Sequence, residues 1–258
     1  MRYIPGMSFE VGADAYGRFM GRFSELLAVE LADYAGVQRG QRALDVGCGP
    51  GALSAVLVER LGSEHVAALD PSAPFVDAAR SRLPGVDIRL ASAESIPFGE
   101  DTFDVALAEL VVHFMSDPIA GITEMARVTK PGGTIAACVW DHGGDTGALS
   151  PFWKVARTRD PGVGDESELM GVHEGQLAEL FAEAGLRDIR ATSLTVHLRF
   201  EKFDDWWRPF TFGVGPPGAY IGGLSDTARE ELRAACEASL PAAPFTIDAS
   251  AWTAAGIA

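Results

Sequence analysis

The sequence predicts an α/β fold in which a largely parallel sheet is covered by helices on both faces. Short apolar runs alternate with amphipathic helical stretches throughout residues 40–140. A glycine-rich turn, "GCGPG", joins the first of those runs to the helix that follows it. A chain of 258 residues is long enough for one large domain of this class.

Each element has its own local signal. Phe23, Leu26, Leu27, Leu31 and Tyr34 recur at helical spacing within 18–35, and Gly36 ends that helix. "RALDVG" reads as a buried strand, followed by a helix over 51–62 that Gly62 closes. "HVAALD" is a second strand ending at Asp70, and "SAPFVDAARSRL" is a helix with Ser72 as its N-cap. "VDIRLA" and "FDVALAEL" are strands three and four. Asp117-Pro118 starts a helix, because Asp caps the free amides and Pro fits the first turn. Pro131-Gly132-Gly133 breaks that helix before "TIAACVW", the fifth strand.

Beyond Trp140 the pattern loosens. Residues 141–171 are rich in Gly, Asp and Ser and read as irregular, with an aromatic pair at Phe152-Trp153. A helix is expected over about 174–184, capped by Gly185, then a long strand in "IRATSLTVHLRF". "FDDWWRPFTFGVGPPGAYIGG" is dense in aromatics, Gly and Pro and reads as a cap inserted late in the sheet. Thr227 and Glu230 fit a capping box before a helix at 228–240, and "FTIDASAWTA" is a last strand. The expected organisation is a single domain, 1–258. It comprises an N-terminal helix lid (14–36), a ligand-binding core (37–140) and a sheet completion (141–258) with the cap at about 203–240.

Bulk properties narrow the function. A formal net charge of −15 opposes nucleic acid and anionic membrane at long range, and Arg and Lys are scattered singly along the chain. Cys48, Cys138 and Cys236 lie far apart without metal-ligand spacing, which suggests reduced thiols. The first residues lack a signal-peptide apolar core, and residues 1–6 read as a leader ahead of Met7. No run reaches the roughly 18 apolar residues that span a bilayer. The expectation is a cytoplasmic protein without nucleic-acid or membrane partners and without a metal.

The glycine loop is ambiguous alone. Gly47, Gly49 and Gly51 follow a strand and open a helix, and Gly49 with Ala52 satisfies the loose dinucleotide pattern. A tight turn without ligand has the same appearance. Asp45 separates the candidates. A pyrophosphate wants bare amides at a helix N-terminus, and a carboxylate two residues before the first glycine repels it. That carboxylate suits a ligand carrying an ammonium or sulfonium. Asp70 stands at the end of strand two, where an acidic side chain accepts both hydroxyls of a ribose; its other reading is a helix cap. Glu94 and the backbone at Ala93, in "ASAESIPF", are placed to meet an adenine edge, or form a surface loop.

Together these residues outline an adenosine site whose far end is not a phosphate. At this point "LDVGCGPG", "ALDPS", "SAESIPF", "FDVALAELVVHFMSDP" and "MARVTKPGG" resemble the ordered motifs of class I S-adenosylmethionine-dependent methyltransferases, in particular the ubiquinone- and menaquinone-type group. The resemblance covers about residues 14–140. It implies a Rossmann-like seven-stranded sheet whose last strand is antiparallel, with S-adenosyl-L-methionine across the carboxyl ends of the strands and S-adenosyl-L-homocysteine as product. It implies that Gly47, Gly49 and Gly51 lie beside the methionine part, that Asp45 places its ammonium group, and that Asp70, followed by Pro71, holds the ribose. Ala93 and Glu94 match the adenine side, and Glu109 and Leu110 the stretch near the methyl group. "AYGRFMGRFS" resembles an N-terminal lid in which Tyr16 and Arg22 close over the methionine carboxylate; for Arg22 an ordinary exposed helix charge is the other reading.

The chemistry follows from an activated sulfonium methyl. The protein must align a nucleophile about 3 Å from that carbon and exclude water. A base is needed only when the nucleophile has a proton to lose. Glu109 and His113 are the catalytic candidates; cofactor contact for the first and apolar packing for the second are their alternatives. Trp140, Phe152, Trp153, Trp206, Trp207 and Phe210 are the candidate pocket for a small, apolar or aromatic methyl acceptor, or else the cap's own core. Two other functions use the same residues: an NAD-dependent oxidoreductase, against which Asp45 and the lack of a Tyr-xxx-Lys pair weigh, and a cofactor-binding protein without turnover.

Overall fold

The computed structural model describes residues 13–258. The leader reading of residues 1–6 falls outside them. A seven-stranded sheet has the order β3-β2-β1-β4-β5-β7-β6. Its strands are β1 (Ala43–Val46), β2 (Val66–Asp70), β3 (Asp87–Leu90), β4 (Phe103–Glu109), β5 (Thr129–Trp140), β6 (Arg187–Phe200) and β7 (Phe245–Ile257). β1 pairs in parallel with β2 and β4, β2 with β3, and β4 with β5. β7 runs antiparallel to both β5 and β6. The order reverses between β1 and β4, and the carboxyl ends of strands flanking such a reversal are where open α/β sheets bind ligands.

Helices cover both faces. The chain enters through a short helix, α1 (Ala13–Tyr16), and a π-helical turn, Gly17–Gly21, that leads into α2 (Arg22–Tyr34). Phe23, Leu27 and Leu31 of α2 are buried with α3 (Ala52–Leu61) on one face of the sheet, whereas Leu26, expected on the same stripe, is 40% exposed. α5 (Pro118–Val128) and α7 (Gln176–Glu183) bury Ile122, Met125, Leu177 and Phe181 on the opposite face. α4 (Ala73–Arg82) packs Val76 and Ala79 against Ala68 and Ile88 of β2 and β3. Asp117 caps α5 through an Oδ1 bond from the Ala120 amide at 3.0 Å, with Pro118 at the first position.

The C-terminal part departs from the sequence reading in two places. Residues 141–171 contain a helix, α6 (Ser150–Arg159), which buries Phe152, Trp153 and Ala156. Three apolar positions between Gly- and Asp-rich flanks are too few to show as a period. The cap between β6 and β7 is helical: α8 (Phe203–Trp207), a 3-10 turn (Arg208–Phe212), α9 (Gly215–Gly222) and α10 (Asp226–Ser239). Ser225, not Thr227, caps α10, its Oγ accepting from the Ala228 amide at 3.2 Å. Among the described residues no helix is long and apolar enough to cross a membrane, and no group of three or more His, Cys, Asp or Glu is arranged to hold a metal ion.

Candidate functional site

Three carboxylates converge at the carboxyl ends of β1, β2 and β4. Asp45 is buried, and the Ser54 hydroxyl of α3 donates to its Oδ2 at 2.6 Å. Its Oδ1 is buried with no hydrogen-bond partner. Asp70 accepts the Gly49 amide on Oδ2 at 2.9 Å and the Ser72 amide on Oδ1 at 2.8 Å. Each of those oxygens keeps a second lone pair. Glu109 ends β4 with its Oε1 buried and unpartnered.

Among the described residues no cation compensates them. Burial pushes the Asp45 carboxyl up to about 7, against the pull of the Ser54 bond and with a further push from Asp70. Burial raises Glu109 well above the ordinary carboxylate range, and the charges of Asp45 and Glu25 add to it. Asp70 is also raised by burial, although its two amide bonds oppose the shift. The Tyr16 phenol, at the lid, is pushed up by burial and then by Glu109. A buried charge without a counter-ion is costly, so these carboxyls favour their protonated forms until positive charge is brought to them.

The glycine loop is tied to the protein by its own amides. The Gly47 and Cys48 amides donate to the Leu69 carbonyl at 2.8 and 2.9 Å, Gly49 donates to Asp70, and Gly51 to the Cys48 carbonyl at 2.9 Å. These groups are not the bare donors a pyrophosphate requires. Gly47 has φ +74, and a Cβ there would lie 2.5 Å from Cγ2 of Val111, so the loop presses against the segment after β4. Leu110 in that segment has φ 60, a left-handed conformation that costs a branched side chain energy. Its amide holds the Cys138 carbonyl at 2.9 Å, and its side chain is buried.

The remaining cofactor candidates lie around this centre. Pro71 is exposed directly after Asp70, and Ala93 is buried. Glu94 is half-buried and accepts the Ser116 amide at 2.8 Å and the Asp117 amide at 3.3 Å on Oε1, so it also ties its loop to the start of α5. Arg22 does not join Tyr16. Its guanidinium donates to the Arg199 carbonyl at 3.4 Å and lies 4.7 Å from the Phe200 ring centroid, because α2 turns that residue toward β6. Nor are all arginines isolated in space: Arg18, Arg22, Arg199 and Arg208 line one groove, interleaved with Glu201, Asp204 and Asp205. Segments far apart in the chain bring them together.

A second chamber opens beyond Leu110. The lid supplies Tyr16, Phe19 and Met20, the segment after β4 supplies His113 and Phe114, and the cap closes it with Val214–Pro217. Its free space is about 50 Å³, little more than one or two waters' share of liquid volume. Of the six aromatics expected to form a pocket, only Trp140 lines this chamber. Phe152 and Phe210 stack at 4.8 Å and 13°, Trp206 lies 4.9 Å from Phe210, and Trp207 lies 6.4 Å from Phe152. Trp153, 5.0 Å from Phe152 edge to face, completes this core of cap and α6. Trp206 and Phe210 also border a smaller cleft beside Phe19 and Phe23. Large apolar rings that meet each other are better buried together than left along a wet cavity.

Two chamber residues had no sequence signal. His142 follows the end of β5, and Glu166 sits in a 3-10 turn (Glu166–Glu168) inside the irregular stretch. His113 is buried with its Nδ1 unpartnered, 5.9 Å from His142 between ring centroids. Burial, then the neighbouring His142, holds His113 well below the ordinary imidazole value, and burial brings His142 to about 4.

Comparison with known proteins agrees with this geometry. Residues 44–137 match a family described as "Methyltransferase domain". The chain is 36% identical over 128 residues to a malonyl-[acyl-carrier protein] O-methyltransferase of Erwinia billingiae, covering 50% of each chain. It thus spans about half the length of the curated relatives it matches. Among solved structures, the Bacillus subtilis YcgJ protein superimposes with a TM-score of 0.58 at 20% identity, over 92% of this chain and 98% of that one. A Haemonchus contortus phospholethanolamine N-methyltransferase 2, in complex with S-adenosylhomocysteine, has a TM-score of 0.56 at 16% identity over 95% of this chain and 59% of that one. At such identities the likeness is one of fold.

Proposed function

We propose that the whole chain, whose residues 44–137 match a methyltransferase domain and whose sheet has the corresponding strand order, transfers the methyl group of S-adenosylmethionine to a small acceptor molecule. The observation that carries this reading is the uncompensated carboxylate pocket, with Oδ1 of Asp45 and Oε1 of Glu109 buried and unpaired beside a glycine loop whose amides are already used. A dinucleotide would bring more negative charge there and find few free donors. A cofactor with an ammonium and a sulfonium brings the missing positive charge.

The residues present fit that group. Asp70 has one free lone pair on each oxygen for a pair of ribose hydroxyls. Pro71, Ala93 and Glu94 border the adenine side, and Asp45 with Gly47, Gly49 and Gly51 hold the methionine end. Glu109, Leu110 and Tyr16 stand between that end and the chamber. When bound, S-adenosylmethionine supplies an electrophilic methyl group, so the protein has only to position a nucleophile and keep water out. The apolar lid residues Phe19 and Met20 exclude water. His113, neutral at pH 7, has a free ring nitrogen that can hold the acceptor's head; Glu109 acts first on the charge of the cofactor.

The acceptor is a small, mainly apolar or aromatic molecule. The Erwinia relative is named for malonyl-[acyl-carrier protein], but no Lys or Arg lines this chamber to hold a carboxylate. An acceptor of more than a few atoms enters only when the lid or the 214–217 segment moves. Calorimetry with S-adenosylmethionine, S-adenosylhomocysteine and NADH tests the reading. Micromolar binding of the first two without NADH is expected, and the reverse pattern sinks the proposal.

A further inference from the structure

The chamber that would receive the acceptor is apolar on most sides but carries unused polar atoms on one. His113 Nδ1, Trp140 Nε1 and Glu166 Oε2 are each buried without a hydrogen-bond partner, and all three residues line it. Glu166 is only 3% exposed. A buried polar atom left unpaired costs about 1–3 kcal/mol, so three around one cavity mark a ligand's place. The complement is mixed. An indole N–H only donates, a carboxylate only accepts, and a neutral imidazole does either.

The surrounding charges show what the ligand is not. Asp165, next to Glu166, is ion-paired to Arg157, which also takes Asp145, so that arginine is already occupied. Asp141 accepts the Gly144 amide, the Thr146 hydroxyl and the Trp252 indole. The Trp153 indole faces Glu166 without forming a well-shaped bond to it. His142 and Tyr16 also line the chamber, and burial keeps both uncharged at pH 7. With no lysine or arginine among the described residues lining the chamber, an anionic head would meet Glu166 unopposed.

Resting on the methyltransferase reading, we infer that the acceptor carries a proton-donating nucleophilic head, an amine or an alcohol on an apolar body, and that Glu166, His113 and Trp140 recognise this head. An amine head donates to Glu166 and His113 and keeps its lone pair for the methyl carbon; an alcohol head donates its one proton to Glu166 and accepts from Trp140 with the lone pair it does not use. As the nucleophile's lone pair forms the bond to the methyl carbon, the carbon–sulfur electrons stay on sulfur. The proton of the head passes to Oε2 of Glu166, and His113 holds the head in place. Above about pH 7, where Glu166 is ionised, a carboxylate has no proton to donate to it and is rejected. The sequence neighbourhood of Glu166 contains no motif for this role; only the fold brings it to the chamber that His113 lines.

The test is ligand-observed NMR on the full chain loaded with S-adenosylhomocysteine. The probes are amines, alcohols and carboxylates built on the same aromatic and alkyl bodies, for example benzylamine, benzyl alcohol and benzoate. Amines or alcohols are expected to bind at least about tenfold more tightly than the matched carboxylates, the ratio set by roughly one unpaired charge contact. Glu166→Gln keeps the shape, so it should retain the melting temperature and S-adenosylhomocysteine affinity while losing most of that preference. Whether amines or alcohols bind more tightly tells which head the acceptor bears. Carboxylates binding equally well, no probe binding, or an unchanged preference in E166Q each overturns the inference. Failure to bind S-adenosylhomocysteine in the first place overturns the methyltransferase reading instead, and is seen before any probe is added.

Discussion

The Ser54 hydroxyl donates a 2.6 Å hydrogen bond to Oδ2 of Asp45, nine residues earlier, and leaves the other carboxylate oxygen buried and unpaired. The strand and the helix after the glycine loop thus hold a charge in place without neutralising it. Asp45→Asn keeps the shape and the Ser54 contact but removes the charge. The ligand-free variant should melt at or above the wild-type temperature, since a buried, repelled charge is gone. Its affinity for S-adenosylmethionine should fall by about tenfold or more, a loss of roughly 1.4 kcal/mol. Calorimetry with a parallel thermal melt decides; unchanged affinity would show that Asp45 is only structural.

Asp70 makes a separable prediction. Asp70→Ala removes the acceptor for the Gly49 and Ser72 amides and the candidate ribose ligand together, and should weaken cofactor binding by about 1–3 kcal/mol. It should also loosen the glycine loop, visible as faster amide exchange at Gly49. If binding is the same in the variant, the ribose assignment is wrong.

Stability should depend on pH in a stated direction. Asp45 and Glu166 are each raised to about 7 from ordinary values of 3.8 and 4.5. The native state therefore binds the extra protons, and their contribution is fully present below the unfolded values and lost as pH rises through about 7. His142, lowered to about 4 from 6.5, has the opposite sign: its contribution is present above 6.5 and lost as pH falls through about 4. Between pH 8 and 6.5 the acids act with little opposition from His142. The melting temperature of the ligand-free protein should rise as pH is lowered across that range, and a flat or falling curve would contradict the uncompensated pocket.

The cap aromatics and the chamber aromatic should behave differently. Phe152 is fully buried against Phe210 and Trp207. Phe152→Ala should cost about 3–5 kcal/mol of stability, read by denaturant unfolding. Trp140→Phe retains most of the apolar volume but removes the unpaired indole N–H, so it should change acceptor binding more than stability. A large KM effect from a properly folded Phe152 variant, or none from the Trp140 variant, would reverse these roles.

The parts legible in the sequence share one property: their signal is local. Strands β1, β2 and β4 are short apolar runs at the expected places, β5 starts earlier than expected and takes in Pro131-Gly132-Gly133, and Asp117-Pro118 starts α5 where a cap and a proline say it should. Asp45, Asp70 and Glu109 were visible because each stands at or near a strand's carboxyl end, which is a position along the chain. The two readings of Arg22 stayed open because nothing local tells which way a helix charge turns once α2 packs beside β6. The cap aromatics looked like a pocket because composition cannot separate rings that face a cavity from rings that face each other.

Determined by the sequence alone were the alternating α/β order, the glycine turn after β1 and the carboxylate two residues before it, since period, turn chemistry and charge sign are properties of neighbouring residues. Only the tertiary structure decided that Asp45 and Glu109 keep unpaired buried oxygens, that the loop amides are spent on Leu69 and Asp70, and that Glu166 and His142 line one chamber with His113. Those facts depend on distances between residues far apart in the chain, and it is packing, with the desolvation that comes with it, that turns such proximity into chemistry.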